Sequence, residues 1–128
     1  MGNPAAKQGD NIVAVDMHQI QPPTPASPVM IPLPFSGMID DGLCQSVNIM
    51  GKPAATVDST ATNMPPHIPA GGTFITPPDN KATIAQGSAS VNIGGKPAAR
   101  AGDKADTCND DGQPQSGTVI AAGSVFIG

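Results

Sequence analysis

The chain has 128 residues and a formal net charge of −4, with 15 glycines, 15 prolines and no Trp or Tyr. This length fits one domain, and the acidic balance argues against a nucleic-acid partner because no basic surface would neutralise phosphates. The glycine and proline content also excludes long helices, since proline removes a helix hydrogen bond and glycine costs conformational entropy.

The few large apolar side chains predict a thin core. The only aromatic residues are Phe35, Phe74 and Phe126, and small domains of this kind usually need a disulfide, a metal or a partner subunit. The chain opens on polar residues without an apolar segment behind them, which predicts synthesis in the cytosol without a signal peptide. No apolar run approaches the ~18 residues of a membrane helix.

One short motif occurs three times along the chain. It reads Pro-Ala-Ala-Lys at residues 4–7, Pro-Ala-Ala-Thr at 53–56 and Pro-Ala-Ala-Arg at 97–100. The prolines that open the copies are 49 and 44 residues apart. A repeat at such a spacing indicates one small unit that is built several times, with the copies burying each other's apolar faces.

A short strand and a proline-rich stretch follow the first copy. Residues 12–15 are small or β-branched and lie between Asp10 and Asp16, which predicts a strand. Residues 19–36 carry six prolines and are predicted to be an extended, loop-like insertion, because each proline fixes φ and removes a donor. This insertion is either a surface excursion or an arm that docks on a partner.

The second and third units, residues 37–59 and 82–103, run parallel to each other. The tetrapeptide Ser-Val-Asn-Ile occurs at residues 46–49 and again at 90–93. Its alternation places Val and Ile on one face of a strand, and the Gly-Lys-Pro that follows turns the chain. Each unit is therefore predicted to be a β-hairpin.

Two further loops and a closing half-unit complete the chain. Residues 60–81 are proline-rich and residues 104–117 are rich in turn formers, so both are predicted to be loops. Residues 118–128 resemble residues 83–94 but stop before a Pro-Ala-Ala copy, whereas the first unit begins with that copy. We expect the two half-units to complete one another, which gives three hairpin units around a pseudo-threefold axis with adjacent termini.

A candidate metal site emerges when the copies are superposed on one equivalent position, which is Asp10, Ser59 and Asp103. His18 and His67 each lie eight residues after that position, and Cys108 lies five residues after it. Because equivalent loops converge around a threefold axis, two imidazoles and a thiolate would meet, and these are typical ligands of Zn²⁺. The sequence predicts a structural zinc site formed by these three residues, which would also stabilise a thin core.

The sequence leaves several alternatives open. The fourth ligand is not evident and could be Asp16, Asp106, Asp110 or water. Both histidines could instead be exposed loop residues. Cys44 aligns with Ser88 at a strand start and is interpreted as a buried small side chain, with a ligand role or a disulfide to Cys108 as lesser alternatives.

No motif of a catalytic site accompanies the candidate metal ligands. Three protein ligands and an open position would suit a zinc hydrolase. The chain has no H-E-x-x-H, nucleophile elbow or phosphate-binding loop, so the prediction is that the protein is not an enzyme.

The repeats resemble the PAAR-repeat family. The matching residues are Gly95 to Asp103, the preceding Gly87 to Ile93 and the closing Gly123 to Gly128. The resemblance covers nearly the whole chain, as a single domain over 1–128 with proline-rich loop insertions at about 19–36 and 60–81. It implies an all-β, cone-shaped fold.

The resemblance also implies a function. Such proteins cap a trimeric VgrG-type spike of a contractile injection machine, as in type VI secretion or phage-tail-like particles, with one tip per trimer. They are sharpened near a zinc ion that three His and one Cys commonly bind, and here His18, His67 and Cys108 match that set.

By the same resemblance, the tip would be delivered outside the cell, meet the target membrane transiently and carry effector proteins. The alternative is an adaptor that binds a separate effector through residues 19–36 or 60–81.

Overall fold

The computed structural model describes residues 2–69, 71–110, 112–113 and 115–128. These residues form strands and turns, which confirms the all-β prediction, and none of them belongs to a helix that is long and apolar enough to cross a membrane. The strands are β1 (Asn3–Pro4), β2 (Asn11–Gln21), β3 (Val29–Asp41), β4 (Cys44–Ile49), β5 (Lys52–Ala54), β6 (Thr60–Asn63), β7 (Thr73–Phe74), β8 (Lys81–Ile84), β9 (Asn92–Ile93), β10 (Lys96–Pro97), β11 (Lys104–Asp106), β12 (Gly117–Ile120) and β13 (Phe126–Ile127).

Six strands close into an antiparallel barrel. Their order is β2, β3, β6, β8, β11 and β12, and β12 pairs back with β2. Around the barrel, the connections between neighbouring strands alternate between the two ends. Hairpins lie at one end, called the base here, and loops lie at the other end, called the apex. Closure leaves the barrel without an edge in this region.

Three buried alanines lie at the centre of the base. Ala6, Ala55 and Ala99, one from each motif copy, are 0 % exposed. The N–H of Ala6 donates to the carbonyl of Ala99 (2.9 Å), that of Ala99 to Ala55 (3.1 Å) and that of Ala55 to Ala6 (3.0 Å). These cyclic bonds, called the alanine ring here, require small side chains because three backbones approach one another closely.

The alignment of the three copies is visible in a second set of equivalent bonds. In each copy the carbonyl of the aligned residue accepts an N–H from the barrel strand beside it, at 2.8 to 2.9 Å. The three bonds are Ile39 to Asp10, Ile84 to Ser59 and Val119 to Asp103. Every motif copy is thus fixed to the barrel in the same way.

Three hairpins form the base, as the sequence predicts. Strands β4 and β5 make one and β9 and β10 another, while the third combines the two ends of the chain, since Asn3 pairs with Ile127 and Pro4 with Phe126. The expected adjacency of residues 2–4 and 126–128 is therefore present. Apolar side chains beneath the hairpins form a small second core.

The prediction of a loop over residues 19–36 is wrong for most of that stretch. Strand β3 begins at Val29 and pairs with β2 from Asn11↔Met38 to Ile20↔Val29, so only residues 22–28 form a loop. This long β2–β3 hairpin extends beyond the barrel at the apex.

The prolines of β3 explain why a strand is possible there. Val15 and Met17 donate their N–H groups away from β3, to Ser116 Oγ and Asn109 Oδ1. Their register partners are Pro34 and Pro32, and residues opposite each other in an antiparallel pair point their N–H groups either both inward or both outward. The two prolines therefore lack only N–H groups that would face the outer edge, where proline is tolerated.

The loops predicted over 60–81 and 104–117 are also shorter than expected. Each begins with a barrel strand, β6 or β11, and the inward side chains of those strands are small: Ala61 is 0 % and Ala105 is 1 % exposed. Alanine carries little of the hydrophobic alternation that marks a strand in a sequence. The irregular segments that remain lie at the apex.

Candidate metal centre

The structure brings His18, His67 and Cys108 together at the apex. His67 and Cys108 lie in the loops that follow β6 and β11, as predicted, whereas His18 lies within strand β2 and not in a loop. The reason is that β2 continues past the barrel into the long hairpin, so its side chains reach the apex from a strand. His18 is buried, at 0 % exposure.

Asp16 joins these three residues. One donor atom from each of Asp16, His18, His67 and Cys108 can be chosen so that all four lie within 4.8 Å of one another. Asp16 Oδ2 lies 2.8 Å from His67 Nε2 and 3.2 Å from Cys108 Sγ, and Cys108 Sγ lies 4.0 Å from His18 Nε2. We call these four residues the apex cluster.

Strand geometry explains the place of Asp16. Asp16 and His18 are two residues apart on β2, and side chains at that spacing point to the same face of a strand. Their inward direction is the barrel side, which also buries Ile12 and Ile20 on the same strand. This period-2 relation is the signal that would have singled out Asp16 from the other candidates for the fourth position.

The two other carboxylates considered for the fourth position have different places. Asp110 is not in the apex cluster but binds behind it, with Oδ1 3.0 Å from His18 Nδ1. Asp106 is exposed at the end of β11. Neither lies on β2, so neither has the period-2 relation to His18 that distinguishes Asp16.

Residues behind His67 fix its ring and were not foreseen. Asn63 Nδ2 lies 3.3 Å from His67 Nδ1, and the His67 N–H donates to Asn80 Oδ1 at 2.8 Å. Asn63 is 2 % exposed and its Oδ1 accepts the N–H of Ser36. Nothing in a lone asparagine on a short strand marks it in advance as a partner of a histidine.

The electrostatic environment of the apex cluster favours binding of a cation. Burial, and next the hydrogen bond to Asp16, raise the pKa of the Cys108 thiol to about 12. Asp16 is itself 0 % exposed, and a buried carboxylate needs partners to offset its lost hydration. A bound cation would favour the charged forms of both groups.

The donor set fits Zn²⁺. Imidazole nitrogen, thiolate sulfur and carboxylate oxygen are all zinc ligands, and donors around a tetrahedral zinc lie roughly 3.3–3.8 Å apart at the usual bond lengths. The separations of 2.8 to 4.0 Å between neighbouring donors bracket that spacing. Small side-chain shifts would therefore bring these four donors to metal-binding distances.

Cys44 lies away from the apex cluster, at the base. It is half-buried, where the sequence predicts a buried side chain, and it packs against the small second core. Cys44 and Cys108 are both free thiols, so the alternative of a disulfide between them is wrong. The alternative of Cys44 as a metal ligand also fails, because the apex cluster does not include it.

Comparison with known families assigns the fold. The family model described as the PAAR motif matches residues 35–108 and again residues 76–128. The chain belongs to the PAAR-motif family. The resemblance in the repeats is thus confirmed, and the two overlapping matches of this PAAR-motif protein span the second and third motif copies. A comparison with curated proteins finds no match.

Proposed function

We propose that this PAAR-motif protein is the tip of the spike of a contractile injection machine, seated by its base on a trimeric VgrG-type spike protein. The observation that carries the proposal is the alanine ring, whose three bonds repeat around one axis. A base with threefold symmetry can present equivalent surfaces to all three chains of a trimer, with one tip per trimer.

Exposed apolar side chains at the base supply the contact surface. Met50 at the β4–β5 turn is 54 % exposed, and Val125 and Phe126 at the third hairpin are 39 % and 59 % exposed. Apolar side chains that are rimmed by polar residues typically mark protein–protein contacts. The Val-Asn-Ile strands and Gly-Lys-Pro turns of the sequence form this same end of the molecule.

The proposal is tested by binding to a trimeric VgrG-type spike protein. We expect the Met50→Asp and Phe126→Asp variants to lose affinity about tenfold or more, because a carboxylate would be desolvated in an apolar contact. Ile68→Asp is the matched control, since Ile68 is 70 % exposed at the apex. Native mass spectrometry should give one tip per three spike chains. Equal loss in all three variants, or binding at another ratio, would overturn the base as the docking surface.

The second part of the proposal is that a structural zinc ion binds the apex cluster. His18, His67, Cys108 and Asp16 would hold it, and it would join three separate segments of the chain at the point of the cone. Elemental analysis of protein that has not met a chelator should find about one zinc per chain. His67→Ala should lower metal content and melting temperature together, while Ile68→Ala, the neighbouring exposed site, should change neither. Unchanged metal content in His67→Ala would contradict the ligand assignment.

A second candidate function, an adaptor for a separate effector, is favoured by one groove. It has a volume of about 400 Å³ and lies between the long hairpin and the loop after β6, lined chiefly by Leu33, Pro34, Met64, Pro65, Pro66 and Ile68. Ile68→Asp should then abolish loading of the effector but leave binding to the spike intact. A point substitution suits this test, because most of residues 19–36 belongs to strands β2 and β3 and could not be deleted without loss of the hairpin.

A further inference from the structure

Asp110 is bound to strand β2 at three points. Its Oδ1 lies 3.0 Å from His18 Nδ1, its Oδ2 accepts the N–H of Gln19 at 2.7 Å, and its own N–H donates to the carbonyl of Met17 at 3.0 Å. The backbone contacts fix the direction of the carboxylate, because both oxygens and the main chain are engaged at once.

This arrangement decides which nitrogen of His18 carries the proton. An ionised carboxylate only accepts hydrogen bonds, so His18 Nδ1 must donate to it. A neutral imidazole has one N–H, and with that proton on Nδ1 the lone pair lies on Nε2. Nε2 is the nitrogen that faces Cys108 Sγ in the apex cluster, at 4.0 Å.

His67 is held in the opposite way. The Oδ1 of Asn63 is taken by the N–H of Ser36 at 2.9 Å, so the amide nitrogen faces His67 Nδ1 at 3.3 Å. Because that amide donates, Nδ1 of His67 accepts, and the proton lies on Nε2, which donates to Asp16 Oδ2 at 2.8 Å. For neutral imidazole rings, these partners therefore favour protons on different nitrogens in the two histidines.

We propose that Asp110 is the positioning residue that holds His18 in the Nδ1–H tautomer and so presents Nε2 to the apex cluster as a ready donor. The effect on metal affinity rests on the zinc site of the proposed function, while the tautomer does not. Partners of this kind, which bind the second nitrogen of a metal-bound histidine, raise its basicity and fix its ring.

The test begins with the tautomers of the metal-free wild-type protein, read from nitrogen chemical shifts of the imidazoles by NMR at mildly alkaline pH. We expect His18 with its proton on Nδ1 and His67 with its proton on Nε2. In Asp110→Asn, His18 should lose its preference while His67 keeps the same signals as an internal reference. Finding the proton of wild-type His18 on Nε2 would overturn the proposal, whether or not the variant folds.

Zinc affinity gives a second readout, by competition with a chromophoric chelator. Asp110→Asn should bind zinc about 10- to 100-fold more weakly than the wild type. Asp106→Asn, which removes the same charge from an exposed site near Cys108, should bind like the wild type. Unchanged tautomer and affinity in Asp110→Asn would overturn the role of Asp110. A wild-type protein with the expected tautomers that binds no zinc would instead support that role and overturn the zinc site.

Discussion

At the scale of single residues, the two cysteines have opposite environments. Burial and Asp16 raise the pKa of Cys108 to about 12, against an ordinary value of 9.0. The Ser46 hydroxyl, 3.4 Å from the thiol, holds the pKa of Cys44 below its ordinary value. Since the thiolate is the reactive form of cysteine, the two thiols should differ in reactivity even though each is only partly covered.

We predict that, in metal-free protein near neutral pH, iodoacetamide labels Cys44 and spares Cys108. A rise of the pKa from 9.0 to about 12 lowers the thiolate fraction of Cys108 about a thousandfold. Because the folded protein holds the thiol proton more tightly than the unfolded chain, this group's contribution to stability is constant below pH 9 and decreases as the pH rises toward 12. Labelling of Cys108 should therefore increase only in that alkaline range. Peptide mass spectrometry after timed labelling measures both sites in one sample.

The Cys44→Ser variant is the control for this experiment, because it should take up almost no label at neutral pH. The Asp16→Asn variant removes the negative charge of Asp16, which together with burial raises the pKa of Cys108, and should label faster at Cys108. Equal labelling rates at Cys44 and Cys108 in the wild type would contradict the environments described above.

The sequence could predict three members of the apex cluster but not how they are held. His18, His67 and Cys108 could be predicted because the repeat places them at or near equivalent positions. Asp16 remained one of several candidates, since its place depends on β2 continuing past the barrel. Asn63 and Asp110 act through hydrogen bonds that join segments remote in sequence, and no local pattern records such contacts.

At the scale of the elements, the outer edge of strand β3 in the long β2–β3 hairpin has few free backbone N–H donors. Pro32 and Pro34 remove two outward N–H groups, and the N–H of Ser36 is taken by Asn63 Oδ1. Strand edges with free donors and acceptors are templates for pairing between chains, and proline at the edge is one way to prevent it.

Replacing both prolines should therefore allow chains to associate through this edge. We predict that the Pro32→Thr/Pro34→Thr double variant keeps the fold, since threonine suits strands, but forms dimers or larger species at high concentration. Size-exclusion chromatography with light scattering over a concentration series measures the change.

The matched control for this variant is Pro23→Thr/Pro25→Thr, which alters two prolines in the loop at 22–28. That variant should stay in the same state as the wild type at all concentrations. A double variant in β3 that shows no concentration dependence would mean that the edge is blocked by something other than the prolines.

The elements show where sequence patterns mislead. Hairpins with Val-Asn-Ile and a Gly-Lys-Pro turn were predictable, because alternation and turn residues occur together there. Strand β3 was not, since a proline-rich stretch is typical of a loop unless the direction of each missing N–H is known. Strands β6 and β11 were hidden because their inward positions are alanines.

At the scale of the whole molecule, the alanine ring depends on residues near the start of the chain. Ala6 takes part in two of its three bonds, and β1 closes the third hairpin with β13. We predict that deleting residues 2–6 costs several kcal/mol of unfolding free energy, since buried Ala5 and Ala6 and their backbone bonds are lost together. Chemical denaturation measures the loss.

Two further variants test whether the effect belongs to the ring. Removing residues 24–26 from the exposed loop should leave stability nearly unchanged. A circular permutant that joins residue 128 to residue 2 and opens the chain in that loop should fold, because the ring and barrel stay intact. A deletion of residues 2–6 that unfolds at the wild-type denaturant concentration would contradict the importance of the ring.

The closed threefold plan could be predicted because the two half-units complement each other in sequence. Closure of six strands into a barrel could not, since three of the pairings join strands across loops whose lengths do not fix the register. The repeat predicts the equivalent base hairpins and the alanine ring, whereas the apex loops differ between copies in length and sequence.

Barrel closure also has a consequence for the order of folding. The barrel end of strand β2, residues 11–13, cannot acquire its second neighbour until β12 exists, and β1 cannot pair until β13 exists. On a ribosome, β1 and one edge of β2 would emerge before their partners, so the last step of folding must follow the synthesis of nearly everything else. Pairings this distant in sequence are slow to form, so these strand edges stay unpaired until β12 and β13 have been made.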